Sequence, residues 1–221
     1  MSYLNFHTHR PSLRHECAVQ CLSPHRFEQR QDSPFLTYYA VGIHPWQAHQ
    51  ADEAEFECLA RAVQHPAVVA VGEVGLDRAC SVPYEVQLEV FRRQALLAEQ
   101  CHKPLVLHCV RAVDDVLAVR KALKARQPWI WHGFRGGDTQ LRALLPHGFY
   151  FGFGGHYRAE ALAACPLSRL LPETDESPVG IELHYRGLAQ QLNLSVHQLQ
   201  QTTESTFREL FPAAEPTLPN K

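Results

Sequence analysis

A chain of 221 residues is long enough for one domain with a full core. Its 45% hydrophobic and 20% charged residues are ordinary globular proportions, which excludes a disordered, collagen-like or coiled-coil chain, and no apolar run approaches the roughly 18 residues needed to cross a bilayer. A net charge of −2 with no basic tail excludes the electrostatic footprint of a non-specific duplex binder.

In chain order, short apolar, β-branched runs alternate with longer amphipathic stretches, the pattern of parallel βα units. Strands are expected at 4–9 and 17–23, with only Arg10 to Glu16 between them, too few residues for a packed crossover helix. Residues 24–36 have room for a short helix. A third strand (38–44) precedes a helical pattern over 51–64. A fourth (67–73) precedes one over 83–101, where Leu88, Phe91, Ala95 and Ala98 share a face. Strands at 104–109 and 128–132 flank a helix over 112–126. Strands at 148–153 and 168–174 follow, and a last helix near 195–210 starts at Ser195, a residue suited to an N-cap.

Eight strands separated by helices specify an α/β fold, a (β/α)8 TIM barrel over 1–212. It is slightly trimmed from the usual ~250 residues, with the helix between strands 1 and 2 missing or reduced. Residues 213–221 are expected to form a flexible C-terminal tail.

The seven cysteines are odd in number, spread out and free of any C-x-x-C pair. The start of the chain lacks the basic and apolar regions of an export signal, so reduced thiols and a cytoplasmic location are expected. The 14 histidines need explaining, because His is the commonest metal ligand and general base. Several close strands: His7 and His9 the first, His44 the third, His108 the fifth and His132 the sixth, while Glu73 closes the fourth and Asp175 follows the eighth. These are C-terminal strand ends, the face on which barrel enzymes carry their sites.

Strand alternation points His7 and His9 the same way, so they can chelate one ion. Six candidate ligands (His7, His9, Glu73, His108, His132 and Asp175) exceed the three that a tetrahedral catalytic site takes, so two divalent ions (Zn, Mg or Mn) are expected, with Glu73 as the bridge. None of the four lysines falls at a strand's C-terminal end, which excludes a carboxylated-lysine bridge. Arg10, Arg78, Arg111 and Arg135 each follow a ligand-bearing strand and are expected to bind an anionic substrate, with His44 orienting a phosphate or leaving group. Asp77 and Glu173 read as residues that order the site, and His156 as a weaker candidate. His15, His25, His49, His65, His102, His147 and His197 read as surface residues.

Phe6-His7-Thr8-His9, Gly42-Ile43-His44-Pro45, Gly72-Glu73-Val74-Gly75-Leu76-Asp77, Leu107-His108-Cys109, His132-Gly133-Phe134 and Glu173-Thr174-Asp175 together resemble the TatD family of metal-dependent hydrolases, amidohydrolase-like barrels described as deoxyribonucleases. The resemblance implies His7 and His9 on one metal and His108 and His132 on the other. Glu73 would bridge them, and Asp175 would bind the first and take the proton of attacking water. It further implies cleavage of phosphoester bonds by a 3′–5′ deoxyribonuclease or nucleotide phosphoesterase, with DNA a candidate substrate. From the sequence itself no membrane partner is expected; it leaves the oligomeric state open, with a monomer the simplest expectation. The chain departs from the family pattern at Asn5, where an Asp is usual, at Arg78 in place of an aromatic, and at Val110-Arg111, where the arginine is shifted by one place. Two other readings keep the same residues: an amidohydrolase acting on a cyclic amide, lactone or nucleobase-like substrate, and a non-catalytic metal-binding barrel.

Overall fold

The computed structural model describes residues 3–31 and 33–214; of the tail expected at 213–221, residues 215–221 lie outside them, and Ala214 is buried. β1 (Tyr3–Thr8) is followed, with no helix between, by β2 (Glu16–Leu22). The short α1 (Pro24–Glu28) begins on a proline, whose missing N–H is of no consequence in a first turn. β3 (Thr37–Val41), a 3-10 turn over Pro45–Gln50, α2 (Glu53–Ala62), β4 (Val68–Asp77), α3 (Tyr84–Gln100), β5 (Leu105–Val110) and α4 (Val113–Ala122) come next. The remaining elements are β6 (Trp129–Trp131), α5 (Asp138–Leu144), β7 (Phe149–Phe153), α6 (Ala159–Ala164), β8 (Leu170–Pro172), α7 (Ile181–Gln191) and α8 (Val196–Leu210).

The strands form one eight-stranded sheet in the order β1 to β8. Registers such as Gly75 with His108 and Phe151 with Leu170 are parallel, and Thr8, the last residue of β1, bridges in parallel to Asp175 beyond β8. This is the topology of the expected (β/α)8 barrel.

The element ends correct the sequence reading in ways that matter for the site. β4 runs to Asp77, so Glu73 lies within the strand rather than closing it. The glycines of G-E-V-G-L-D serve close packing within the strand. A Cβ on Gly75, whose φ is +146°, would lie 1.9 Å from the His108 carbonyl oxygen of β5. β3 stops at Val41 and β8 at Pro172, leaving His44 and Asp175 in the segments beyond them.

The residues fall into two compact units. One contains 3–20, 33–38 and 130–214. In its core Phe6 packs edge-on against Phe207, while the Tyr185 hydroxyl donates to the Leu4 carbonyl (3.0 Å) and pairs with Thr203 (2.9 Å), tying α7 and α8 to β1. Ser195 and Gln198 form a capping box at the start of α8, a feature worth about 1 kcal/mol. The other unit contains 21–31 and 39–129. There Phe91 packs on Trp129, and the expected apolar face of α3 is buried at Phe91, Ala95 and Ala98.

Candidate metal centre

In the first unit the end of β1 is fastened to the segment after β8. Thr174 and Asp175 both donate their N–H to the His7 carbonyl (3.2 and 3.0 Å), and His9 donates to that of Asp175 (3.3 Å). Asp175 has φ +53°, a left-handed conformation that aspartate tolerates better than most residues. Here it directs the carboxylate at both histidines: Oδ1 lies 3.5 Å from His7 Nε2 and 3.5 Å from His9 Nε2. These separations are long for hydrogen bonds, which cluster at about 2.7–3.2 Å. They match two ligands of one ion instead, because N and O donors about 2.0–2.2 Å from a tetrahedral centre lie about 3.4 Å apart.

His7 is wholly buried, and the His132 ring stacks on it with centroids 4.1 Å apart. His7, His132 and Asp175 each bring a ligand atom within 4.8 Å of the others. Glu173, almost fully buried, accepts the Gly133 N–H at 2.6 Å and lies 4.0 Å from His132 Nδ1, so it orders the loop that carries His132. Gly152 makes room for it, since a Cβ there would meet Glu173 Oε2 at 2.0 Å.

In the second unit His44, Glu73 and His108 also place ligand atoms within 4.8 Å of one another. Glu73 Oε1 is 3.3 Å from His44 Nε2 and 2.9 Å from His108 Nδ1, while His108 Nε2 is 3.2 Å from Asp77 Oδ2. Both nitrogens of His108 therefore face carboxylates. A neutral imidazole has one N–H, so one of these contacts is a hydrogen bond and the other is a lone pair facing an anion, the arrangement a cation satisfies. Asp77 is the natural acceptor for the Nε2 proton. Burial would raise its carboxyl, yet hydrogen bonds from Trp46 Nε1 (2.7 Å), Ala79 and His108 hold it below the ordinary carboxylate range. The donor sets of both units, imidazoles with carboxylates, are of a kind that suits divalent cations.

The resemblance assigned His108 and His132 to one ion. The geometry within the units groups His132 with His7 and Asp175, and His44, expected at the substrate, with Glu73 and His108.

Of the four arginines, two already have partners. Arg78 Nη2 bonds Asp115 at 2.7 Å and its guanidinium lies over the Tyr84 ring, while Arg10 donates to the Glu176 carbonyl at 2.9 Å. Arg111, at φ +54°, and Arg135 are exposed. His156 lines a cavity of about 360 Å³ in the first unit, together with Tyr157, Ser177 and His184.

Sequence reading missed Trp46, Gln87, Gln94 and His184. Gln87 Oε1 accepts the Asp77 N–H (2.8 Å), and Gln94 clamps Ile43, one residue before His44, through both its N–H (2.7 Å) and its carbonyl (3.0 Å). The signal was present: two glutamines on the apolar face of a helix need buried partners. Trp46 and His184 had no comparable mark.

The profile of the family described as TatD related DNase matches residues 16–212. An uncharacterized metal-dependent hydrolase of Bacillus subtilis, YabD, is 31% identical over 185 residues, 78% of this chain and 72% of that protein. A 3′–5′ ssDNA/RNA exonuclease of Edwardsiella piscicida, TatD, is 36% identical over 155 residues; the match covers 66% of this chain and 60% of the exonuclease, less than two thirds of its length. The crystal structure of YjjV, a TatD homologue from Escherichia coli, matches with a TM-score of 0.80 at 22% identity, covering 95% of this chain and 98% of that one, a likeness of fold.

Proposed function

Because this chain belongs to the TatD-related DNase family of metal-dependent hydrolases, we propose that it cleaves phosphodiester bonds from the 3′ end of single-stranded DNA or RNA. The observation that carries this reading is the pair of imidazole–carboxylate clusters, with Asp175 at 3.5 Å from two histidines and Glu73 at 3.3 and 2.9 Å from two others.

His7, His132 and Asp175, with His9 beside them, would hold one divalent cation, and His44, Glu73 and His108 the other. The sheet order supports this, because parallel strands present all their C-terminal ends at one edge. Divalent cations there would polarise the phosphoryl oxygens and lower the pKa of water. The protein's own part is positional and electrostatic. The Asp175 carboxylate would accept the proton of the attacking water through the oxygen not turned to the histidines, and Asp77 keeps His108 in the tautomer that presents Nδ1. Arg111 and Arg135, both exposed, would meet the phosphate charge. Among the described residues no helix is long and apolar enough to cross a membrane.

The test is hydrolysis of 5′-labelled single-stranded DNA and RNA, duplex DNA, a phosphomonoester and a cyclic amide, each with Mg²⁺, Mn²⁺ or Zn²⁺. Stepwise shortening from the 3′ end is expected, with Asp175→Asn slowing it by about 10²–10⁴-fold, the range for a general base. Turnover of the amide alone, or an Asp175→Asn variant at full rate, would overturn the proposal.

A further inference from the structure

A third group of ligating side chains lies on α1 and α2, in the unit of residues 21–31 and 39–129, and the proposed hydrolysis makes no use of it. His25 and Glu28 are three residues apart on α1, and Glu55 and Cys58 have the same spacing on α2, so each pair shares a helix face. Cys58 is fully buried, with Sγ 3.8 Å from His25 Nδ1, and His25, Glu28 and Cys58 each bring a ligand atom within 4.8 Å of the others. We propose that His25, Glu28 and Cys58 bind a Zn²⁺ ion that pins α1 to α2, with Glu55 orienting the imidazole.

Three features support a metal over a simple surface ion pair. On a tetrahedral Zn²⁺ a thiolate at about 2.3 Å and an imidazole at about 2.0–2.1 Å lie about 3.5 Å apart, close to the 3.8 Å found here. His25 Nε2 lies 2.7 Å from Glu55 Oε2, the outer carboxylate that fixes a ligating histidine in one tautomer, so the lone pair of Nδ1 faces the sulfur. Arg61 Nη2 bonds one oxygen of Glu28 (Oε1, 3.0 Å), and the Cys58 thiol also donates to this carboxylate, so the thiol proton sits where the cation would replace it. Thiolate, carboxylate and neutral imidazole carry two negative charges and so neutralise Zn²⁺. The sulfur favours Zn²⁺ over Mg²⁺ or Mn²⁺, which prefer all-oxygen sites.

Binding forms a Zn–S bond, breaks the S–H bond and releases the proton to solvent, with no redox change. The exposed sides of His25 and Glu28 leave a fourth position for water. The benefit is local: a five-residue helix such as α1 is too short to be stable by itself.

Co²⁺ titration of chelator-stripped full-length protein tests this, because cobalt bound to a thiolate gives a near-ultraviolet charge-transfer band that an imidazole–carboxylate centre lacks. The band is expected in the wild type and in Glu73→Ala, whose hydrolytic centre is impaired, and in Cys109→Ser. It should vanish in Cys58→Ser, and zinc bound per chain should fall by one. His25→Gln, a change at an exposed residue that leaves the core intact, should also abolish the band. Glu55→Gln should weaken Zn²⁺ binding about 10–100-fold, the range for loss of an outer-shell partner. No band in the wild type, or a band that survives Cys58→Ser or His25→Gln, refutes the site and leaves the nuclease reading untouched.

Discussion

Asn5 shows how one altered residue can be understood from its neighbours. It is buried, donates through Nδ2 to Glu16 Oε1 (2.5 Å) and Thr174 Oγ1 (2.8 Å), and accepts the Thr174 N–H at Oδ1 (3.0 Å). The aspartate usual in the family would set a second carboxylate against Glu16 in a buried site. Asn5→Asp is therefore expected to destabilise the chain by about 1–3 kcal/mol, the cost of an unsatisfied buried polar group, and Glu16→Gln in the same chain should restore most of it. Chemical denaturation of the two single variants and the double variant measures the coupling. Asp77 acts on the site through His108 and is a positioning residue. Asp77→Asn should weaken metal binding about 10–100-fold with the metal-bound rate constant reduced less, a split visible in metal titrations of activity.

At the scale of elements, α3 holds the second unit's site in place. Gln87 and Gln94, seven residues apart on its buried face, pin the end of β4 and the residue before His44. Gln94→Leu would leave the Ile43 N–H and carbonyl without their clamp, so both stability and the affinity of the His44 cluster for metal should fall; a loss of stability alone, by calorimetry and metal titration, would reduce Gln94 to a packing residue. Arg78, Tyr84 and Asp115 link the end of β4 to α3 and α4. Hydrogen bonds from Tyr84 and Arg78 hold the Asp115 carboxyl below its ordinary range. A folded-state pKa below the unfolded one means that this stabilisation is fully present above about pH 4 and is lost as the pH falls through the folded value. The stability gap between wild type and Asp115→Asn should thus be constant from pH 5 to 8, smaller than about 1 kcal/mol because the pair is exposed, and should close in acid.

For the whole molecule, cations that bind only the folded chain must stabilise it. A divalent ion at 100 times its dissociation constant adds about 2.7 kcal/mol, so thermal unfolding should move up with Mn²⁺ and return with chelator; Glu73→Ala should lose most of the Mn²⁺ shift. The sequence by itself determined the eight strands, the missing first crossover helix and the α8 cap, because alternation, helical periodicity and cap chemistry are local properties. It also marked His7, His9, Glu73, His108, His132 and Asp175 through their place near strand ends. It did not foretell that β4 runs past Glu73 to Asp77, that the Arg78 fork is taken by Asp115, or that His132 stacks on His7. Those outcomes, like the meeting of His25 with Cys58 across two helices, depend on which surfaces pack together, and no periodicity within a single element encodes them.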